Sequence, residues 1–326
     1  MTFTRKLGRS GIEVSALGMG CWAIGGPFWE KGTPHGWGEV DDNESLRAIQ
    51  RALDLGVNFF DTANVYGAGN SERILGKAFA GKRQDVVIAT KFNALFDEAT
   101  REVTGSSCAP PDIRQACEDS LRRLNTDYID LYQFHDNGYP ADKAEPVRET
   151  LEELVKDGKI RAYGWSTDFP DRAEVFAQGK NCATIQLELN VLDDNPAVIS
   201  ICEKYNLAAI NRGPLAMGLL TGKYTSSTKP SADDVRKSPE WMKYFKDGKP
   251  SPEYLEKIEA VREILTSGGR TLSQGALAWL WARSEQTLPI PGFRTVKQVE
   301  ENCGAIDFGP LENDQMREIE NILGRM

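Results

Sequence analysis

Short apolar runs alternate with amphipathic stretches almost from one end of this chain to the other. This alternation restricts the fold more than any other feature. Eight runs read as strands: Ala16 to Cys21, Asn58 to Thr62, Asp85 to Thr90, Tyr128 to Phe134, Ala162 to Ser166, Ala183 to Leu189, Leu207 to Asn211 and Thr287 to Pro291. Most are too short for a helix and too continuously apolar for a strand with one wet face, as expected of parallel strands covered on both sides. The stretches between them carry helix signals. Asp42-Asn43-Glu44 opens one that closes at Leu55-Gly56, Pro111 to Leu124 spaces its apolar residues by three and four, and Pro146 to Asp157 stops at Gly158. Eight strand–helix units predict an α/β chain closed into a (β/α)8 TIM barrel, since a doubly wound open sheet would have fewer strands and a switch point.

Three pieces stand outside the alternation. Residues 1–14 read as a short β-hairpin turning at Gly11, placed to cap the bottom of a barrel. Residues 222–252 are polar and rich in Ser, Lys, Asp and Pro, which marks a loop insertion beyond the seventh strand. Leu311 to Leu323 forms an extra amphipathic helix after the eighth unit. With no internal repeat and no linker, residues 1–326 read as one barrel domain.

Composition narrows the function classes. The net charge of −9, without a Lys/Arg run, gives no reason to expect nucleic acid or an anionic membrane as partner. No run reaches the ~20 apolar residues that span a bilayer, and MTFTRKLGRSG lacks a secretory core, so a cytoplasmic protein is expected. Six cysteines without a C-x-x-C pair fit reduced, separate thiols. His35, with no cysteine or acidic pair beside it, offers no metal site.

Chemistry concentrates at strand ends. Asp61 closes the second run, Tyr66 follows five residues later, Lys91 ends the third and His135 the fourth. Barrel active sites are built at that face. A lysine held by an aspartate beside a tyrosine would lower the phenol's pKa, and a histidine could hydrogen-bond the same reacting oxygen. Each residue alone has a plainer reading as a cap, a surface pair, wall packing or a buried histidine; their joint placement favours a site. Trp22, Phe28, Trp29, Trp37 and Phe92 cluster by position around the loops after the first and third runs. They read equally as a substrate wall or as loop packing, and the long Gly25 to Gly38 loop reads as a lid able to move.

The blocks DTANVYGAGNSERILGKAF, VVIATKF, NTDYIDLYQFHD, GKIRAYGWST, IQLELN, GPLAMGLLTGKY and IPGFRTVKQVEEN, in this order, resemble the signature blocks of the aldo-keto reductases, especially their bacterial-type and channel-subunit-type branches. The resemblance spans residues 5–303. It implies a (β/α)8 barrel of NAD(P)H-dependent carbonyl reductases with a tetrad at Asp61, Tyr66, Lys91 and His135. Tyr66 would then protonate the carbonyl oxygen as hydride leaves the nicotinamide, with Lys91 and Asp61 lowering its pKa and His135 orienting the carbonyl.

The resemblance also implies a cofactor site. Gly20, Cys21 and Trp22 would approach the nicotinamide ribose, although a plain turn with Trp22 in the core remains open. Ser166 and Gln186 would hold the carboxamide, with Thr167 where relatives often have Asn, and Asn190 matches an asparagine beyond the sixth strand. Gly213, Pro214, Leu215 and Gly218 would admit the pyrophosphate. Arg212 stands where many relatives stack an aromatic on the nicotinamide, and reads either as that stack or as a salt-bridged arginine. Gly292, Arg294, Gln298, Glu301 and Asn302 would receive the adenosine 2′-phosphate, favouring NADPH while leaving NADH possible. The expected partner is a small carbonyl or sugar, with a monomer as the family default. A cofactor-binding regulatory subunit with little turnover is the alternative, against which the intact tetrad argues.

Overall fold

The computed structural model describes residues 3–225, 227–228, 230, 233–237 and 241–325. All eight expected strands form and pair in parallel. They are β1 (Met19–Gly20), β2 (Phe59–Asp61), β3 (Val87–Phe92), β4 (Ile129–Phe134), β5 (Ile160–Ser166), β6 (Cys182–Glu188), β7 (Ala208–Arg212) and β8 (Thr287–Pro289), each hydrogen-bonded to the next. The barrel closes where Gly18 N and Gly20 N donate to the Pro289 and Pro291 carbonyls, each at 3.0 Å. A Cβ on Gly20 would lie 2.7 Å from the Ile290 carbonyl oxygen, so this seam requires glycine.

Helices α1 (Asp42–Asp54), α2 (Asn70–Ala78), α3 (Pro110–Leu124), α4 (Glu145–Lys156), α5 (Pro170–Ala177) and α6 (Pro196–Tyr205) fill the successive crossovers. The seventh holds α7 (Pro252–Thr266) and α8 (Leu272–Arg283), and α9 (Val296–Cys303) and α10 (Asn313–Ile322) follow β8. Their boundaries follow local chemistry. Asp41 caps α1 through Asn43 N, Pro110 and Pro111 occupy the first turn of α3, and Gly56 and Gly158 take left-handed φ just past α1 and α4. No helix among the described residues is long and apolar enough to cross a membrane.

Strand alternation divides the core in two. Phe59, Val87, Ala89, Leu131, Ala162, Ala208, Ile210 and Leu288 point into the barrel, while Phe60, Ile88, Tyr132, Tyr163 and Ala209 pack outward against the helices. The hairpin of Thr4–Lys6 with Glu13–Ser15 turns through Gly11 as expected, and its Leu7, Ile12 and Val14 plug the bottom of the inner layer. Burying each such aliphatic side chain contributes roughly 1.5–3 kcal/mol.

The loops at the other end differ from expectation. The Gly25 to Gly38 stretch is pinned rather than free. Trp29–Glu30 pairs with Thr33–Pro34 and with Glu102–Ser106, which in turn pairs with Ala94–Asp97, giving a four-stranded sheet built from the loops after β1 and β3. The 222–252 insertion carries a turn at Val235–Lys237 and a small hairpin of Phe245–Lys246 with Lys249–Pro250; its positions 226, 229, 231–232 and 238–240 lie outside the described residues. Val235 N donates to the Gly36 carbonyl at 2.8 Å, joining the insertion to the first loop.

Candidate active site

Above the apolar inner layer, the next inward positions of the strands are polar. Asp61 on β2, Lys91 on β3, Gln133 on β4 and Ser166 on β5 each stand two residues or a multiple of two beyond an inward apolar residue, so period-two alternation delivers them to one layer, which Gln186 on β6 joins across a register shift in the β5–β6 pairing. Lys91 pairs with Gln133 in the β3–β4 register and Ser166 with Gln186 between β5 and β6. Asp61, Ser166 and Gln186 of this layer line a cavity of about 840 Å³, which Lys91 and Gln133 do not reach.

Lys91 is fully buried, and its three ammonium protons have three acceptors. Nζ lies 2.5 Å from Asp61 Oδ1, 2.7 Å from the Thr62 carbonyl and 3.4 Å from the Tyr66 hydroxyl. Burial opposes the charge on Lys91, but Asp61 and Tyr66 outweigh it and hold its pKa above the usual lysine value. Asp61 Oδ2 accepts from Gln186 Nε2 at 2.8 Å and from Gln133 Nε2 at 3.0 Å. Tyr66 comes from the loop after β2, whose Gly67 has φ +61° and backs onto Gly25, where a Cβ would sit 1.8 Å from the carbonyl oxygen.

The lowered phenol pKa expected from the sequence does not result. Enclosure raises the Tyr66 pKa above the ordinary tyrosine value, and Lys91 is the largest influence against that rise. Trp22 stacks on Tyr66 at 5.8 Å between ring centroids, and His135 stands edge-on to it at 6.0 Å. Burial, then Lys91 and Arg212, hold the His135 pKa well below its ordinary value, leaving the imidazole neutral.

Of the remaining expected positions, Gly20, Cys21, Trp22, Ser166, Gln186, Arg212, Gly213, Pro214, Leu215, Gly218, Gly292, Arg294 and Gln298 all line the cavity. Arg212 is salt-bridged to Asp168 and Glu188 at its wall. After Gly213, residues Ala216, Met217 and Gly218 take left-handed φ of 48°, 54° and 96°, and the Ala216 and Gly218 amides donate to the Gly213 and Leu215 carbonyls. The Arg294 guanidinium donates to the Trp37 and Glu39 carbonyls, and its amide donates to the Gln298 side chain at 2.7 Å. The start of α9 is already engaged: Thr295 caps it, and Glu44 Oε1 accepts from Val296 N at 3.0 Å.

Other expected residues are elsewhere. Thr167, next to inward Ser166, turns outward and donates to the Asn137 carbonyl at 3.1 Å. Asn190 is buried, bonding the Gly213 carbonyl at 3.1 Å and the Tyr244 hydroxyl at 2.8 Å, and so supports the glycine loop from behind. Asn302 is buried and donates to the Gly292 carbonyl, while Glu301 accepts from Thr271; neither lines the cavity. Phe92 follows inward Lys91 and therefore faces the helices, stacked on Tyr132 at 4.7 Å. Trp29 is likewise off the cavity, whereas its strand neighbours Phe28 and Glu30 line it together with Trp22 and Trp37.

Sequence reasoning missed several lining residues. Lys223 and Arg236 join Arg294 at one end of the cavity. Burial and then Arg236 and Arg294 lower the Lys223 pKa, and burial and then Arg294 bring Arg236 down to about 10. Among the described residues Lys223 has no ion pair. Lys223 closes the GPLAMGLLTGK block and was within reach of the motif; Arg236 sits in a polar insertion with no local signal. Trp241 adds a half-exposed ring 6.3 Å from Trp22, tilted by 31°. Gln133, buried and off the cavity, was also missed, and was legible as the residue two before His135.

The sequence profile of the Aldo/keto reductase family matches residues 16–323. Aldo-keto reductase YhdN of Bacillus subtilis is 33% identical over 332 residues, covering 96% of this chain and 91% of the relative. The Schizosaccharomyces pombe aldo-keto reductase yakc, whose name specifies NADP(+), is 31% identical over 315 residues, covering 93% of this chain and 86% of the relative. The structure of the glycerol dehydrogenase AKR11B4 from Gluconobacter oxydans superposes with a TM-score of 0.81 at 32% identity, over 100% of this chain and 96% of that one.

Proposed function

The chain belongs to the aldo-keto reductase family of oxidoreductases acting on carbonyl and alcohol groups, and on that premise we propose that it interconverts an aldehyde or ketone and its alcohol with NADPH, NADH being the second choice, through Tyr66. The observation that carries this reading is the use of the three Lys91 protons. Because the Tyr66 oxygen accepts from Lys91, its own proton is left to point at a substrate oxygen in the cavity. With its pKa raised, the phenol is protonated at neutral pH and able to act as an acid. Once it has given up the proton, Lys91 stabilises the phenolate, and Asp61 keeps Lys91 in place. Neutral His135, edge-on to Tyr66, can donate an N–H to the same substrate oxygen.

The residues present fit a dinucleotide. Three cations, Lys223, Arg236 and Arg294, crowd one end of the cavity; beyond burial, Arg236 and Arg294 lower the Lys223 pKa and Arg294 lowers that of Arg236, a repulsion that a diphosphate would relieve. Gly213, Pro214, Leu215 and Gly218 line the same space, and Ser166 and Gln186 supply polar groups beside Asp61. A nicotinamide dinucleotide held there would supply the hydride. The NADP(+) in the yeast relative's name supports the same cofactor. At the substrate end, the rings of Trp22, Phe28 and Trp241 with Glu30, His35 and Asn137 suit a hydroxylated carbonyl compound. The likeness to a glycerol dehydrogenase supports that class.

Fluorescence titration with NADPH and NADH, followed by an aldehyde and polyol panel, tests the reading. Tyr66→Phe is expected to bind NADPH like the wild type and to lose turnover by about 100-fold or more. Undiminished turnover in that variant, or no binding of either dinucleotide, overturns the proposal.

A further inference from the structure

We propose that Gln133 is a positioning residue for the proton donor: it anchors the Asp61 carboxylate so that Lys91 keeps its contact with Tyr66. The proposal rests on the reading of Tyr66 as that donor. Gln133 is fully buried inside the barrel, does not line the cavity and touches no ligand surface. Its Nε2 donates to Asp61 Oδ2 at 3.0 Å, and its Oε1 accepts from Gln186 Nε2 at 3.4 Å. Asp61 therefore has Lys91 on one oxygen and two glutamine amides on the other.

The two amides are not equivalent. Gln186 opens onto the cavity, where a bound molecule can compete for it, whereas Gln133 is sealed off and remains Asp61's donor whatever the cavity holds. An amide at this depth has no value as packing, since an apolar side chain of similar volume would fill the space without a desolvation cost. It matters because a buried carboxylate with unfilled lone pairs rotates toward other donors. Lys91 lies 2.5 Å from that carboxylate and 3.4 Å from Tyr66, already the long limit of a hydrogen bond. A shift of Asp61 would draw the ammonium away from the phenol. Asp61 from β2, Lys91 from β3 and Gln186 from β6 face Gln133, and Tyr66, His135, Cys21 and Arg212 are the other ionisable groups of this layer.

Two variants test the role. Gln133→Met keeps the volume and removes both the donor to Asp61 and the acceptor for Gln186. Gln133→Glu donates to Asp61 only while protonated, and when ionised sets a second negative charge against it. The first readout needs no turnover: the phenol ionisation of Tyr66, taken as the ultraviolet difference between each protein and its Tyr66→Phe counterpart. In Gln133→Met it is expected at higher pH than in the wild type, because the less compensated Asp61 charge bears on the phenol. The second is kinetic. Gln133→Met should lower kcat about tenfold with KM and the NADPH Kd within about twofold of wild type. Gln133→Glu should approach wild-type turnover at the acid end and fall away as pH rises, which a packing role would not produce. Both variants are first compared with the wild type by near-ultraviolet circular dichroism, and if Gln133→Met does not fold, the pH dependence of Gln133→Glu decides. Wild-type ionisation and kcat in folded Gln133→Met, or a wild-type pH profile in Gln133→Glu, overturns the role of Gln133. A wild type that turns over nothing defeats the functional reading instead, and the Tyr66 titration still decides the part played by Gln133.

Discussion

His135 shows how far a residue's surroundings can move its chemistry. Burial and the two cations Lys91 and Arg212 favour its neutral form, whereas in an unfolded chain it would titrate near 6.5. Below that value the unfolded chain binds a proton that the folded chain refuses. The stability this histidine contributes is therefore complete above about pH 6.5 and is lost as the pH falls below it. His35, the second of two histidines, is shifted the same way by burial. Urea unfolding at pH 7.5 and 5.5 should thus show a smaller loss of stability on acidification in His135→Asn than in wild type, with His35→Asn as the companion control. An equal loss in all three proteins would contradict the assignment. Residue identity was the most legible level: Asp61, Tyr66, Lys91 and His135 converge as their strand-end positions imply. The net rise in the Tyr66 pKa was not legible, because it depends on enclosure by residues distant in sequence.

At the level of elements, the start of α9 bears on cofactor choice. Glu44, from the first turn of α1, reaches the Val296 amide, and this bond and Arg47 lower its pKa. A carboxylate thus occupies part of the helix terminus that would otherwise favour an anion. Any 2′-phosphate gripped by Arg294 would meet that charge, so Glu44→Gln is expected to tighten NADPH binding over NADH by about fivefold. Equal changes for both dinucleotides in parallel titrations would remove Glu44 from the account. The displaced expectations belong to this scale as well. Phe92 and Thr167 each follow an inward residue, Lys91 or Ser166, on the same strand path, so strict alternation already assigns them to the outer face. Trp29 sits between Phe28 and Glu30 for the same reason. Asn302 and Glu301 fall one turn beyond Gln298, facing the helix packing and not the cavity. The strand positions were recoverable from the period of two, applied residue by residue, whereas Glu301 and Asn302, three and four residues beyond Gln298, share its helix face by period and were not.

In the whole molecule, loops that are remote in sequence are tied together at the cavity edge. The Trp37–Asp234 bridge, the Val235-to-Gly36 hydrogen bond and the Arg294 contacts with the Trp37 and Glu39 carbonyls join the first loop, the insertion and the segment after β8. Asp234 is almost fully buried and holds the Arg236 guanidinium, which lies over the Trp37 ring. Asp234→Asn is therefore expected to speed NADPH release about tenfold with a smaller change in association, as stopped-flow fluorescence would read. Unchanged release would mean that these ties do not retain the cofactor. By itself, the sequence determined the barrel, the strand ends and the four converging ionisable groups, because period-two and period-3.6 patterns and chain order are local properties that set which residues reach one end of a closed sheet. Only the tertiary structure decided that Gln133 and Gln186 share an oxygen of Asp61, that Lys223 and Arg236 join Arg294, and that Glu44 takes an amide of α9. Those outcomes depend on which distant groups burial forces to satisfy one another, and no local pattern encodes that pairing.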